Sequence, residues 1–404
     1  MRLAALTLAA ACAFPAAAIA QTPPASAEAA NPAGGTILFD SRLRYEGVRQ
    51  DGLDDADAAT VRLRFGWRSP TAAGFTFLVE GEAVQALVDD FNDTIHGPPT
   101  QAVVPDPDVV ELNRLQLSWT GAPGTEVTVG RQRIILDNAR FVGNVGFRQN
   151  EQTFDAVRVT TTALEPFTVT YAYIGGVNRI FGDRSPVGTW DSDSHLTHVE
   201  APTPAGRLAL YGYWLDFSDA PAQSSQTFGA RLTGSRALSP QWSVNWTAEY
   251  ARQRDYGSNP GQFDLEYGQL ALGLTRGPLS VTVSRERLDG DGVRGFQTPL
   301  ATLHAFQGWA DVFLTTPARG LTDDSVSAGY TWATPPLGRR AVFTAAWRDF
   351  SDAGAGLDFG QELDGSARLV LDDRWALEAA MAIYDGAGPF ADRDKTWLAL
   401  EYRF

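Results

Sequence analysis

From residue 35 onward, apolar and polar residues trade places with a period of two, in segment after segment. That period puts successive side chains on opposite faces of an extended strand. "TVRLRFGWR" sets Val61, Leu63, Phe65 and Trp67 on one face and Arg62, Arg64 and Arg68 on the other. "WSVNWTAEY" sets Trp242, Val244, Trp246, Ala248 and Tyr250 against Ser243, Asn245, Thr247 and Glu249. "WLALEYRF" carries the pattern to the last position, with Leu398, Leu400, Tyr402 and Phe404 on one face. No helical period competes with it. After residue 20 no apolar run approaches the roughly 18 residues of a membrane-spanning helix.

Eighteen strands are expected, at 35–48, 58–68, 74–86, 111–119, 125–135, 152–161, 167–177, 195–201, 207–217, 225–236, 241–253, 263–276, 279–289, 322–332, 339–350, 358–371, 375–384 and 395–404. In 125–135, Val127 and Val129 share parity with Arg131 and Arg133, so a bulge is expected near Gly130. The connections sort by parity. Short ones ("SPTAA", "GAPG", "LEP", "PTPAG", "LSP", "GP", "TPPLG", "DDR") alternate with generally longer, polar ones, of which 87–110, 136–151, 178–194 and 290–321 are the largest. A transmembrane up-and-down antiparallel β-barrel has this arrangement, with tight periplasmic turns and long extracellular loops. A soluble sandwich or propeller has no reason to sort its loops. The expectation is all-β: a single such barrel of about 18 strands over 35–404.

Aromatic residues sort the same way. Trp67, Trp119, Trp242, Trp332, Trp375 and Phe167 all sit on the greasy face beside short turns, where an interfacial girdle belongs. Phe404 would join it, and a terminal Phe on such a strand resembles the assembly signal of bacterial outer-membrane barrels. At the other end, "MRLAALTLAAACAFPAAAIA" reads as a secretory signal peptide over 1–20, cleaved near Ala20, followed by a flexible segment over 21–34. The only cysteine, Cys12, lies inside it, so no disulfide is available to the mature chain. The net charge of −15 argues against nucleic acid as a partner. The expected location is the outer membrane of a Gram-negative cell.

On the polar face lie Asp40, Arg42, Arg44, Glu46, Arg62, Arg64, Glu80, Glu82, Arg114, Arg158, Arg231, Glu249, Glu286, Glu362, Asp364, Arg368, Glu378, Glu401 and Arg403. The ordinary role of such rows is cross-strand ion pairing that stiffens the wall. An exception is expected around Arg131, Arg133 and Arg148, where cations outnumber nearby anions and a guanidinium fork suits carboxylates.

The stretch "GRQRIILDNARFVGNVGFRQNEQTFDAVRV", Gly130 to Val159, resembles the alginate export family of outer-membrane barrels, and so does "FQTPLATLHAFQGWADVFLTTPARGL", Phe296 to Leu321. The resemblance implies a monomeric 18-stranded barrel passing an anionic poly- or oligosaccharide through an arginine-lined constriction. By position it implicates Arg131, Arg133, Arg148, Gln149, Asn150, Gln152 and Asp155, with Asp155 orienting an arginine. Arg62, Arg64, Arg114 and Arg158 join them as pore-lining candidates. Outer-membrane lipid and the barrel assembly machinery are the other expected partners.

No nucleophile elbow, phosphate loop or Cys/His metal pattern is present, so no catalytic residue and no cofactor is expected. His195 and His198 in "HLTH" fall on opposite faces of a strand. The acidic stretches "DGLDDAD" (51–57) and "DGDG" (289–292) read as solvated loops. The rival readings are a general porin for small solutes and, from another class, a barrel enzyme.

Overall fold

The computed structural model describes residues 34–404. The expected signal peptide, its cleavage site and all but the last residue of the 21–34 segment lie outside the described residues. The rest forms eighteen strands: β1 (Thr36–Gln50), β2 (Ala56–Arg68), β3 (Phe75–Asp90), β4 (Val109–Ala122), β5 (Thr125–Gln132), β6 (Thr153–Leu164), β7 (Phe167–Asn178), β8 (Thr189–Thr203), β9 (Gly206–Leu215), β10 (Ser225–Ala237), β11 (Trp242–Arg254), β12 (Asp264–Arg276), β13 (Leu279–Leu288), β14 (Leu321–Trp332), β15 (Arg340–Ser351), β16 (Asp358–Val370), β17 (Trp375–Gly386) and β18 (Arg393–Arg403). Each pairs antiparallel with its sequence neighbours, and β1 pairs with β18 from Asp40↔Arg403 to Gln50↔Arg393. The sheet is therefore a closed up-and-down barrel. Closure leaves no edge, so every strand's backbone groups are met by another strand, which hydrocarbon requires.

The outward face carries the greasy set. Leu43, Leu63, Phe65, Leu270, Leu272, Val283, Leu363 and Leu398 are all exposed on the outside of the wall. At the short-turn end the rings meet. Trp67 lies 6.4 Å from Phe77, Phe75 lies 6.4 Å from Trp119, and Trp375 lies 4.7 Å from Tyr402. Phe404 exchanges backbone hydrogen bonds with Phe39 and has the Arg374 guanidinium 5.0 Å above its ring.

Two expectations are corrected. Strand β8 runs well beyond 195–201, starting at Thr189, because Trp190 turns inward and packs on Phe217. And β5 carries no bulge at Gly130: its pairing with β6 is continuous from Thr125 to Gln132. Gly130 instead has φ +110, and a Cβ there would stand 2.2 Å from the Leu115 carbonyl oxygen, so only glycine fits. Parity then runs unbroken, and Arg131 follows Val129 onto the outside of the barrel.

Two loops fold into the lumen and supply much of its interior. From the β5–β6 loop (133–152), Phe141 packs on Tyr211, Tyr267 and Phe296 at 5.2, 5.3 and 6.1 Å. From the β13–β14 loop (289–320), Phe313 packs on Phe350 and Phe390 at 4.8 and 4.9 Å.

A closed barrel should migrate with a heat-modifiable mobility on gels and leave membranes only with detergent. Leu270→Arg, at the middle of β12 on the outward face, should destabilise the barrel by about 2–4 kcal/mol in phospholipid vesicles, the cost of a cation at mid-bilayer. Denaturant titration of vesicle-embedded protein measures this.

Candidate functional site in the barrel lumen

Where the two inward loops meet the wall, charges of both signs are taken out of water together. Arg148 from the β5–β6 loop bonds Glu46 of β1 at 3.0 Å and Asp311 of the β13–β14 loop at 3.1 Å, with Asp106 of the β3–β4 loop at 3.7 Å. Lys395 of β18 bonds Asp311 at 2.7 Å and lies 3.5 Å from Glu46. Arg44 of β1 pairs with Asp106 and stands 3.3 Å from Glu46. His304 meets the other oxygen of Asp311 at 2.8 Å. Three cations thus balance three carboxylates. Phe147 closes the assembly: its ring stacks on His304 with centroids 3.5 Å apart and lies under the guanidinium carbons of Arg44 and Arg148 at 4.9 and 4.8 Å. We call this assembly the ionic knot.

Below the knot, toward the short turns, β1 and β2 present Arg42, Arg62 and Arg64. Arg42 and Arg62 are register partners, so two guanidiniums stand side by side. Arg64 pairs with Glu82 and lies 3.7 Å from Glu151; Arg62 pairs with Asp40. Arg42 differs. Its Nε donates to Gln149 Oε1 at 2.8 Å, and its terminal nitrogens donate to the carbonyl oxygens of Gly146, Phe147 and Arg148 at 3.3, 2.8 and 2.5 Å. All four acceptors are neutral. The Nε and Nη1 of Arg62 are buried and find no acceptor among the described residues. A buried donor left unpaired is costly, so its persistence calls for an explanation.

Each expected site residue has a definite place. Arg133 meets Glu151 at 2.7 Å and Glu80 at 3.5 Å. Arg114 forks onto Glu80 with bonds of 2.8 and 2.7 Å. Arg158 pairs with Glu126 at 3.1 Å. Gln149 is pinned by Thr60 and by the Asp106 carboxylate on its backbone N–H, each at 2.8 Å. Gln152 donates to the carbonyls of Gly143 and Leu300, tying the two inward loops together. Asn150 reaches the Arg179 carbonyl at 3.5 Å and keeps a buried Oδ1 that has no partner among the described residues.

Arg131 and Asp155 are corrections. They form a forked pair of 2.8 and 2.9 Å, but on the outward face, level with Val129 and Val157. They line no part of the lumen, because unbroken strand parity carries both outside. The expected excess of cation is corrected too: Arg131, Arg133 and Arg148 each hold a carboxylate, and Arg148 has three within 4 Å. The wall rows follow ordinary cross-strand pairing, as in Arg231–Glu249, Arg368–Glu378 and Arg403–Asp40.

The sequence reading missed Asp106, Arg140, His304 and Asp311, and gave Lys395 no role. Arg140 is fully buried, bonded to Glu286 at 2.6 Å and Thr298 at 2.8 Å. One signal was available: Lys395 is the only lysine in the chain. At the outer mouth, Arg179 lies against the rings of Trp190 and Phe181 at 4.0 and 4.7 Å, and burial pushes its guanidinium down to about 10.

No family model and no curated protein matches the sequence. Membership of the alginate export family is therefore not confirmed for this chain. The fold does match solved structures. Pseudomonas aeruginosa OpdL aligns over 92% of this chain and 99% of its own with a TM-score of 0.70 at 17% identity. P. aeruginosa OccK9 (OpdG) aligns over 91% and 97% with a TM-score of 0.73 at 15% identity. P. aeruginosa OpdK, in a structure with vanillate, aligns over 91% and 98% with a TM-score of 0.67 at 14% identity. At these identities the likeness is one of fold: the chain has the architecture of 18-stranded outer-membrane porin barrels.

Because the knot is balanced and buried, removing one member leaves charges stranded. Arg148→Gln should cost about 3–5 kcal/mol, the usual penalty for breaking a buried pair. The inward loops should then open to chymotrypsin after Phe306 and Trp309 in folded, detergent-solubilised protein. Unchanged cleavage rates would show that the knot does not hold the loops.

Proposed function

We propose that this chain is an outer-membrane channel for small solutes bearing a carboxylate, among them uronates and short anionic oligosaccharides. The barrel, its aromatic girdle and its likeness to the Opd/Occ structures support a channel of the outer membrane, reached after cleavage of residues 1–20 and assembly as a monomer by the barrel machinery. The observation that carries the choice of solute is the pair Arg42 and Arg62. One spends its donors on neutral oxygens, and the other has two buried donors unspent. A solute carboxylate would give Arg42 the charged acceptor that it lacks and would offer an idle nitrogen of Arg62, already paired with Asp40, an acceptor of its own.

Passage past this point requires the 146–149 segment to shift, since its carbonyls occupy Arg42. A solute carboxylate would take the place of those carbonyls and meet the idle donors of Arg62, so loop movement and solute binding would exchange one set of acceptors for another. Arg179 at the mouth would draw anions toward the lumen despite the overall charge of −15, because low-dielectric walls focus the local field. The solved OpdK–vanillate structure supports the same solute class, vanillate being an aromatic carboxylate. The two alginate-export-like motifs favour the saccharide branch of that class. The near-complete pairing of the other wall arginines favours a second reading, a general porin with a weak field. None of these features calls for catalysis, and the chain is read as a channel rather than an enzyme.

Arg42→Gln combined with Arg62→Gln should lower the anion-over-cation permeability ratio several-fold in planar bilayers and abolish block by galacturonate or vanillate, with heat-modifiability kept. Retention of wild-type selectivity and block by the folded double variant would leave the general porin standing. Comparison of galacturonate, oligogalacturonate and vanillate at equal concentration separates the branches of the class.

A further inference from the structure

We propose that Asp137, His198 and Glu200 form a binding site for a divalent transition-metal ion that clamps the β5–β6 loop to strand β8. His198 and Glu200 are two residues apart on β8 and so share its lumen face. His195, three residues earlier, faces outward and bonds the Tyr171 hydroxyl at 2.7 Å, which removes it from the site. The third ligand comes from the loop. Asp137 takes up φ +51, in the left-handed region that Asp tolerates better than most residues, and brings Oδ2 to 2.8 Å from His198 Nε2. One ligand atom from each of the three lies within 4.8 Å of the other two.

Ligand type narrows the ion. One imidazole and two carboxylates suit Zn²⁺, Co²⁺ or Ni²⁺, whereas Mg²⁺ and Ca²⁺ prefer an all-oxygen shell. In a tetrahedral site with bonds of about 2.0–2.2 Å, ligand atoms stand roughly 3.3 Å apart. The His198–Asp137 pair needs to open only slightly to admit an ion. Glu200 must release Arg207, whose side chain is 65% exposed, and an exposed partner gives up an ion pair at little cost. The buried imidazole is 4% exposed, against 15% for the Asp137 side chain and 21% for that of Glu200, so one side of the site stays open for a water ligand. Glu249, which accepts from Tyr211 at 2.8 Å, adds a further carboxylate to the same wall, balanced by Arg231.

The ion would fasten the loop near its start, while Arg148 fastens it near its end. The inference does not depend on what the channel carries.

The test uses the mature, untagged barrel in detergent. Cobalt(II), added as a spectroscopic probe, should develop visible absorption at one equivalent per chain and lose it on addition of zinc. Zinc, but not magnesium, should raise the unfolding temperature and slow proteolysis within 133–152. Glu200→Gln and Asp137→Asn, both near-isosteric, should weaken zinc binding at least tenfold, and His198→Gln should abolish it. Absence of binding in the folded wild type, or equal affinity in all three folded variants, overturns the site. Zinc binding that leaves loop proteolysis unchanged overturns the clamp.

Discussion

The structure depends most on the burial of six opposed charges at the point where loops and wall meet. Taking an ion out of water costs several kcal/mol, and only a complete set of partners returns it. Arg44, Arg148 and Lys395 are matched by Glu46, Asp106 and Asp311, so no member can be dropped without stranding another. Glu46 lies on the first strand and Lys395 on the last. The same ionic contacts that hold the loops in the lumen therefore also bridge the seam where the barrel closes.

Around the knot the lumen divides into two walls of different chemistry. The β1–β4 side is lined by paired arginines and carboxylates, whose cross-strand bonds brace the barrel. The β9–β13 side adds aromatic rings to its ion pairs: Tyr211 and Tyr213 stack with centroids 4.9 Å apart, and Phe141 from the loop fills the space in front of them. Arg140 crosses between the two chemistries. It donates to Glu286 while lying over the Phe306 ring at 4.8 Å. The β5–β6 loop thus touches both walls, and what it holds or releases sets what the lumen can admit. Within this frame Arg42 and Arg62 stand out: Arg42 bonds neutral oxygens, and Arg62 holds Asp40 with one nitrogen while its other two find no acceptor among the described residues.

Much of the fold was legible in the sequence because alternation is local. Side-chain period in a strand is two whatever the distant surroundings, so Leu63 faces lipid and Arg64 faces the lumen as a matter of position. Strand number, antiparallel order, loop parity and the girdle at Trp67 and Trp375 follow from the same rule. The rule holds even at Gly130, where the expected bulge would have turned Arg131 inward. The backbone absorbs that position with a glycine-only φ and keeps its register.

The sequence by itself determined which residues face which side of the wall. Only the tertiary structure decided which charges meet. Arg148 finds Asp311 across 163 positions and Lys395 finds it across 84. No periodicity encodes such meetings, since they arise when long loops fold back into a closed space. Asp106, His304 and Asp311 look in sequence like ordinary polar loop residues, and a single lysine looks like compositional bias. Inside the barrel, where an unpaired charge has no water to turn to, they become the partners that Arg44, Arg148 and Glu46 require.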